Sequence, residues 1–193
     1  MTLASPPTKH HSAEDYLALE VESEIRNEYR NGEIVPMTGG TPEHNKIVSA
    51  LTALLWFGLR GKPYSVFVTD QRLWIPEPDV YTYPDIMVTP RPVDRKPGRK
   101  DTVMAPLLVA EILSQSTQGY DRGEKFEAYR TIPTLQEYLL IDQYNPHVEQ
   151  YVKQAENQWL FTEHRDLDQS FALQVVNVDI ALGDLYEAVF SSD

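Results

Sequence analysis

Residues 83–88 read YPDIMV, residues 107–113 read LLVAEIL and residues 121–130 read DRGEKFEAYR, and these three segments decide the fold that we predict. The first two have the length and the apolar content of buried β-strands. Each carries one carboxylate, Asp85 or Glu111. An ionised carboxylate that is left unpaired among apolar neighbours costs several kcal/mol. We therefore expect Glu111 to be protonated, paired or bound to a cation.

The two acids predict a metal site where the two strands lie side by side. Carboxylates from adjacent strands can converge on a hard divalent cation, and Mg²⁺ prefers oxygen ligands while it keeps several of its waters. Two carboxylates and one backbone carbonyl are enough for such a site. Lys125, a short distance along the chain, adds a positive charge.

The ordered segments resemble the PD-(D/E)xK nuclease superfamily and, more closely, the Uma-two family of restriction-endonuclease-like proteins. The match extends from about Ala13 to Lys153. The ordered set with its Leu-Ser-x-Ser-Thr turn is more specific than the Pro-Asp pair alone. The matching residues are Pro84-Asp85, VAEILSQST (109–117) and DRGEKFEAY (121–129), supported by EYRNGEI (28–34) and His44.

The resemblance implies an α/β fold with a restriction-endonuclease-like core, in which helices flank a central mixed β-sheet and antiparallel strands are added. It also implies a metal-dependent endonuclease that hydrolyses DNA phosphodiester bonds. We assign Asp85 and Glu111 as ligands of Mg²⁺ (or Mn²⁺), and the carbonyl of Ile112 as a third ligand. Glu43 and His44 are weaker candidates, either for contacts that support the ligands or for a second metal ion.

One position departs from the superfamily pattern. A lysine is expected two residues after the acid, where strand alternation places it on the same face as Glu111. Leu113 occupies that position in this chain. In the Uma-two family the lysine has moved to the following helix, which points to Lys125 as the residue that assists the attacking water. The alternative for Lys125 is an i,i+4 ion pair with Asp121, worth about 0.2–0.5 kcal/mol.

The other site residues also have structural alternatives. Asp85 follows a proline at a strand entrance, a common position for a residue with no catalytic role. Glu111 is a candidate for a buried ion pair with Lys125 or Arg122. His44 shares the inward face of its predicted helix, where a hydrogen-bonded histidine at the edge of the core is expected about as often as a site residue.

Composition indicates an ordinary globular protein. The chain has 193 residues, of which 41% are hydrophobic and 24% are charged, and it has no cysteine, which excludes disulfides and thiolate metal sites. We expect a disordered lead over residues 1–11 and a single domain over residues 12–193. The sequence has neither a signal peptide at its start nor an apolar run near eighteen residues, so we expect a cytoplasmic protein with no membrane partner.

The charge distribution is uneven. The formal net charge is −12, which disfavours non-specific nucleic-acid binding. The segment 91–100 is the exception, because five basic residues there outnumber one acid and give it a charge of +4. We interpret this Pro-rich segment as a mobile loop that is either solvated or in contact with DNA phosphates. Its basic residues are Arg91, Arg95, Lys96, Arg99 and Lys100.

A second function remains open from the sequence. The acid excess and the missing strand lysine favour a non-catalytic relative that keeps the fold as an interaction or oligomerisation module, for example as a homodimer. The joint presence of Asp85, Glu111 and Lys125 favours the nuclease, whose partner is DNA. No other catalytic motif appears in the sequence.

Local patterns predict the remaining elements. Ser12 and Asp15 form a capping box at a helix start, and Asn31-Gly32 predicts a tight hairpin turn. Thr41 caps a helix that ends near Gly61. The further predictions are strands at 64–69, 72–75, 137–142 and 175–182, a hairpin of 147–153 with 158–163, and helices at 121–130 and 184–190.

Overall fold

The computed structural model describes residues 10–190. Most of the predicted disordered lead, residues 1–9, lies outside the described residues. Within the described part, the backbone N–H of His11 donates to the carbonyl of Gly32 at 2.9 Å. Among residues 10–190, no helix is both long and apolar enough to cross a membrane.

Within residues 10–190, five helices form where the sequence carries capping signals or inward-facing apolar residues. The predicted capping box is present, because Ser12 and Asp15 exchange side chain to backbone hydrogen bonds. The hydroxyl of Thr41 accepts from the backbone N–H of His44 at 3.2 Å and caps the longest helix. The helices are α1 (Ala13–Glu22), α2 (Pro42–Gly58), α3 (Gln118–Arg122), α4 (Glu124–Arg130) and α5 (Leu182–Phe190).

Thirteen strands are present among the described residues. The first two form the predicted hairpin, in which Asn31 and Gly32 have the positive φ angles, 50° and 84°, that such a turn requires. The strands are β1 (Asn27–Arg30), β2 (Glu33–Pro36), β3 (Tyr64–Val68), β4 (Arg72–Ile75), β5 (Val80–Thr82), β6 (Ile86–Pro90), β7 (Thr102–Val103), β8 (Leu108–Leu113), β9 (Glu137–Asp142), β10 (Val148–Ala155), β11 (Gln158–His164), β12 (Ser170–Leu173) and β13 (Val178–Ala181).

The central sheet has six strands in the order β11-β10-β9-β8-β6-β3. β8 and β9 are parallel, whereas the other neighbours are antiparallel, so the sheet is mixed. A second sheet has the order β2-β1-β5-β4-β7, and β12 pairs with β13 in a small third sheet. The predicted mixed sheet with added antiparallel strands is thus confirmed.

The two faces of β8 belong to two different hydrophobic cores. Ala110 and Ile112 pack in the core that α2 and α5 cover. Val109 and Leu113 pack in the core that contains Phe126 and Tyr129 of α4. Because side chains alternate along a strand, Glu111 must face the second core and α4. Strand alternation therefore decides which helix supplies the partners of Glu111.

The predicted helix over residues 121–130 is wrong in one respect, since it is two short helices. α3 ends where the N–H of Gly123 bonds to the carbonyls of Gly119 and Tyr120, and α4 begins at Glu124. Glycine disfavours a helix interior because it has the most backbone freedom to lose, which makes Gly123 the point where the helix breaks.

Two further stretches differ from the prediction. The strand expected over 175–182 is shorter, β13, and it pairs with β12. The sequence did not predict β12, because only two of its four side chains are buried. The segment 90–100, expected to be a mobile loop, is tied by backbone hydrogen bonds. The backbone N–H of Lys96 donates to the carbonyl of Thr102 at 3.0 Å, and the backbone N–H of Met104 donates to the carbonyl of Asp94 at 3.2 Å.

Candidate functional site

A cavity of about 830 Å³ lies where α2, α3, α4 and strands of the two larger sheets meet. Its lining brings together five of the residues that the sequence singled out, from segments far apart in the chain. They are His44 of α2, Asp85 just before β6, Glu111 and Ile112 of β8, and Lys125 of α4.

Asp85 lies where β8 extends beyond the end of its pairing with β6. The pairing of β6 with β8 ends at Ile86 and Ala110, so the N–H of Ile112 finds no strand partner on that side. The Oδ2 atom of Asp85 accepts this N–H at 2.8 Å. The N–H and C=O of one strand residue face the same edge, so the Ile112 carbonyl, predicted as a metal ligand, also faces this edge.

His44 fixes the same carboxylate from the first turns of α2. Its Nε2 atom lies 3.2 Å from Oδ2 of Asp85, and the two side chains are 13% and 15% exposed. Burial lowers the pKa of His44, but the hydrogen bond and the charge of Asp85, with smaller contributions from Asn45 and Glu111, together raise the pKa overall. His44 is therefore a contact of the predicted metal ligand Asp85 and not a separate core histidine.

Glu111 is buried and paired. Its Oε1 atom lies 2.9 Å from Nζ of Lys125 and accepts the Tyr129 hydroxyl at 2.6 Å. The backbone N–H of Asp85 points to its Oε2 atom at 3.4 Å, a long contact. Burial raises the pKa of Glu111 and the Asp85 carboxylate adds to the rise, although the Lys125 ammonium opposes it. The raised pKa therefore reflects first the cost of burying this charge, which the ammonium group of Lys125 offsets only in part.

Lys125 lies at the centre of three carboxylates. Besides Glu111, Glu28 Oε1 lies 3.4 Å and Asp121 Oδ1 lies 3.7 Å from its Nζ atom. Burial lowers the pKa of Lys125, yet the three carboxylates raise it well above its usual value. Lys125 is therefore a fixed ammonium group. The i,i+4 pair with Asp121 exists, but it is the longest of the three contacts.

Two acids of this cluster were missed as site residues. Glu28 comes from β1, in the other sheet, and the Thr82 hydroxyl also binds it. Asp121 was considered only as a partner of Lys125. The sequence signal was available for Glu28, because it begins the EYRNGEI match, but nothing local to the sequence placed it opposite α4.

The charges that line the cavity favour a bound cation. The lining includes the carboxylates Glu28, Asp85, Glu111 and Asp121, against the basic side chains Arg30 and Lys125. Among residues 10–190, no cluster of three or more His, Cys, Asp or Glu side chains could hold a metal ion by itself. A cation would thus rest on the two carboxylates Asp85 and Glu111, together with a backbone carbonyl and water. Oδ1 of Asp85 and Oε2 of Glu111 are the oxygens least used by the contacts above, and this hard-oxygen donor set fits Mg²⁺.

The remaining predicted site residues lie elsewhere. Glu43 is exposed in the first turn of α2 and does not line the cavity. None of the five basic residues of 91–100 lines it either. Arg91 follows β6 at the end opposite Asp85, about 20 Å away by strand rise.

Three of these basic side chains already have partners. Nε of Arg91 donates to the Ser65 hydroxyl at 3.1 Å. Nζ of Lys96 lies 3.5 Å from the Trp74 ring centroid and donates to the Tyr81 hydroxyl at 2.5 Å. Arg99 pairs with Asp101 at 2.6 Å. Arg91, Arg95 and Lys100 are the exposed members of the segment.

The fold and the site define a restriction-endonuclease-like α/β protein. A solved structure from Anabaena variabilis, described as "a putative nuclease belonging to DUF820", has this fold. It aligns with a TM-score of 0.74 over 92% of this chain and 98% of that chain, at 20% sequence identity.

The family is also shown by sequence. The Uma2 family model, described as "Putative restriction endonuclease", matches residues 13–183, and the chain belongs to this family. Two Synechocystis proteins are similar to it. The protein sll1609 is 43% identical over 81% of this chain and 88% of its own length, and slr1290 is 34% identical over 96% of both chains. The predicted family and fold class are confirmed.

Proposed function

We propose that the protein is a metal-dependent endonuclease that hydrolyses DNA phosphodiester bonds. The observation that carries this proposal is the convergence of Asp85, Glu111 and Lys125, from three different elements, in one cavity, with Nζ of Lys125 2.9 Å from the Glu111 carboxylate. The family description and the nuclease-like fold support the same reaction class.

Asp85, Glu111 and the Ile112 carbonyl would hold Mg²⁺ or Mn²⁺. When bound, such an ion lowers the pKa of a water molecule and offsets charge on phosphate oxygens. The protein contributes the orientation of the ligands. His44 and the N–H of Ile112 fix Oδ2 of Asp85, while Tyr129 and Lys125 fix Oε1 of Glu111. The opposite oxygen of each carboxylate is left for the cation.

Lys125 acts in this proposal as a cationic hydrogen-bond donor. Its raised pKa keeps the amine protonated, so it cannot remove a proton from water. A fixed ammonium group next to the ligands can orient the attacking water and stabilise the negative charge that develops on the phosphate. In this proposal the exposed side chains of Arg91, Arg95 and Lys100 contact DNA phosphates outside the cavity.

Cleavage of plasmid and single-stranded DNA in Mg²⁺ or Mn²⁺ tests the proposal. Wild type should cut at least one of these substrates, whereas Asp85→Ala and Glu111→Gln should lose almost all activity because each removes a ligand. Glu156→Ala, an exposed acid in the turn between β10 and β11, is the matched control and should cut like wild type. Equal cleavage by wild type and Asp85→Ala would contradict the proposal.

One observation favours the alternative, an oligomerisation module. Trp56, Phe57 and Val68 are exposed next to one another and line a shallow apolar groove. Val68 belongs to β3, which is the edge strand of the central sheet in the described part of the chain. A second copy of the chain could pair its own β3 there around a two-fold axis and cover both grooves. The molar mass in solution tests this homodimer, which Trp56→Ser with Phe57→Ser should convert to a monomer.

A further inference from the structure

We propose that the cavity takes an unpaired DNA strand and does not act on a continuous duplex, with a base stacked on the ring of Tyr144. This inference rests on the proposed nuclease function and adds the form of DNA that reaches the site. The depth of the carboxylates, the scarcity of basic side chains in the lining and the position of Tyr144 carry it.

The reactive groups lie at the floor of the cavity. Glu111 is 3% exposed and Lys125 is 7% exposed, so a phosphate must enter the cavity to reach them. A volume of about 830 Å³ lies within the roughly 300–1,000 Å³ of sites that enclose a small ligand. Such a space holds one or two nucleotides but not a helix of two strands. Enzymes that do chemistry on a base enclose it in such a pocket, and they take it from a single strand or flip it out of the stack.

The lining offers little to the two backbones of a duplex. Duplex binding depends on Lys and Arg contacts to many phosphates. Arg30 and Lys125 are the Arg and Lys residues in the described cavity lining, and both are engaged. Lys125 is paired with Glu111, and the guanidinium group of Arg30 lies 3.8 Å from the centroid of the Tyr120 ring.

Tyr144 offers an unpaired base an aromatic ring to stack on, a contact that is closed to a base inside a duplex. It lies in the loop after β9, lines the cavity and is 54% exposed. Its hydroxyl accepts the N–H of Gln115 at 3.3 Å, which holds the ring at the cavity wall. A fixed, exposed aromatic ring binds any base by stacking, because every base has a π-face, and this contact requires the base to be unpaired. Unpaired DNA therefore gains from the ring of Tyr144, whereas a stacked base pair does not.

Binding in Ca²⁺, which takes oxygen ligands as Mg²⁺ does and is expected to replace it without supporting cleavage, tests the inference. Fluorescence anisotropy compares a labelled 12-nucleotide strand with the blunt duplex that the same strand forms with its complement. Wild type should bind the single strand at least tenfold more tightly than the duplex. Tyr144→Ala should weaken single-strand binding roughly tenfold. Tyr144→Phe keeps the ring but loses the hydroxyl that holds it, so its affinity should fall between those of wild type and Tyr144→Ala.

Phe161→Ala is the matched control, since Phe161 is 47% exposed and lies outside the cavity lining. It should bind like wild type. Duplex binding that equals or exceeds single-strand binding overturns the inference, and so does unchanged binding by Tyr144→Ala.

The inference and the proposed function fail differently. A preference for the single strand in Ca²⁺, without cleavage of any DNA in Mg²⁺ or Mn²⁺, supports the inference and ends the nuclease proposal. Metal-dependent cleavage of blunt duplex and single strand at equal rates supports the nuclease and overturns the inference.

Discussion

At the residue scale, the site depends on how Lys125 reaches the buried carboxylate of Glu111 from a different element of the fold. Leu113 occupies the position that alternation would give to a strand lysine, but it is 3% exposed and packs in the core beneath α4. Lys125 reaches Glu111 from α4 instead, with Nζ 2.9 Å from Oε1. Lys125 is a partner of Asp121 and a neighbour of the predicted metal ligand at the same time, and its role in catalysis stays a prediction.

Removing Lys125 should cost stability as well as activity. Lys125→Met keeps the volume of the side chain but leaves Glu111, Glu28 and Asp121 without their shared ammonium group. Breaking a buried ion pair from one side costs about 3–5 kcal/mol, so we expect a loss of about 3 kcal/mol in the free energy of unfolding by urea titration. The double variant Lys125→Met/Glu111→Gln should recover part of that loss, since Glu111 then no longer carries an unpaired charge, while Glu28 and Asp121 still lack the ammonium group.

Lys46→Met, an exposed position on α2, is the control for Lys125→Met and should change stability by less than about 0.5 kcal/mol. A Lys125→Met protein as stable as wild type would mean that the ion pairs around Lys125 do not support the fold.

At the element scale, Glu137 joins the central sheet to the small third sheet. It is fully buried in β9, where its Oε1 accepts from Gln150 of β10 at 2.5 Å and its Oε2 accepts from the backbone N–H of Val175, before β13, at 3.1 Å. Burial raises the pKa of Glu137, although these hydrogen bonds oppose the rise. No cation partner offsets the buried charge among its contacts in the described chain.

The raised pKa of Glu137 predicts a pH dependence of folding. A carboxyl group whose pKa is higher in the folded protein contributes stability below its unfolded pKa of about 4.5, and this contribution is lost as pH rises through the folded pKa. Urea unfolding between pH 4.5 and 7 should therefore show wild type losing stability relative to Glu137→Gln, which cannot ionise. A constant difference between the two proteins over this range would contradict the raised pKa.

The sequence predicted individual elements well where local signals decide them. The capping box at Ser12, the Asn31-Gly32 turn and the Thr41 cap each act within a few residues, and all three are present. Alternation along β8 also predicted which neighbours share a face with Glu111. The break at Gly123 and the short strand β12 were missed, because a single glycine and two buried side chains give weak signals.

Long-range contacts limited what could be predicted of the site. Glu28 reaches Lys125 because β1 pairs with β5, where Tyr29 lies opposite Tyr81, and this pairing has no signature in the local sequence. The same limit applies to the basic segment 91–100, whose charge was visible but whose distance from Asp85 depends on the direction of β6.

At the scale of the whole molecule, a net charge of −12 opposes DNA binding. A basic surface that contacts phosphates should therefore show itself in the salt dependence of binding. If Arg95 and Lys100 contact phosphates outside the cavity, replacing both with Ser should reduce the salt dependence of single-strand binding by a slope of about 1.4, or roughly 0.7 per lost contact. Anisotropy at several salt concentrations measures the slope. The control is the double variant Lys46→Ser/Arg60→Ser, which removes two exposed basic residues from α2 and the turn after it. An unchanged slope in the Arg95/Lys100 variant would mean that the segment is a solvated loop without phosphate contacts.

The central claim is that Asp85 and Glu111 form a divalent metal centre, and calorimetric titration of the protein with Mn²⁺ tests it most directly. We expect wild type to bind Mn²⁺, and Asp85→Ala and Glu111→Gln each to weaken that binding at least tenfold, because each variant removes one of the two carboxylate ligands. Glu156→Ala should bind like wild type. Equal Mn²⁺ binding by wild type, Asp85→Ala and Glu111→Gln would contradict the claim.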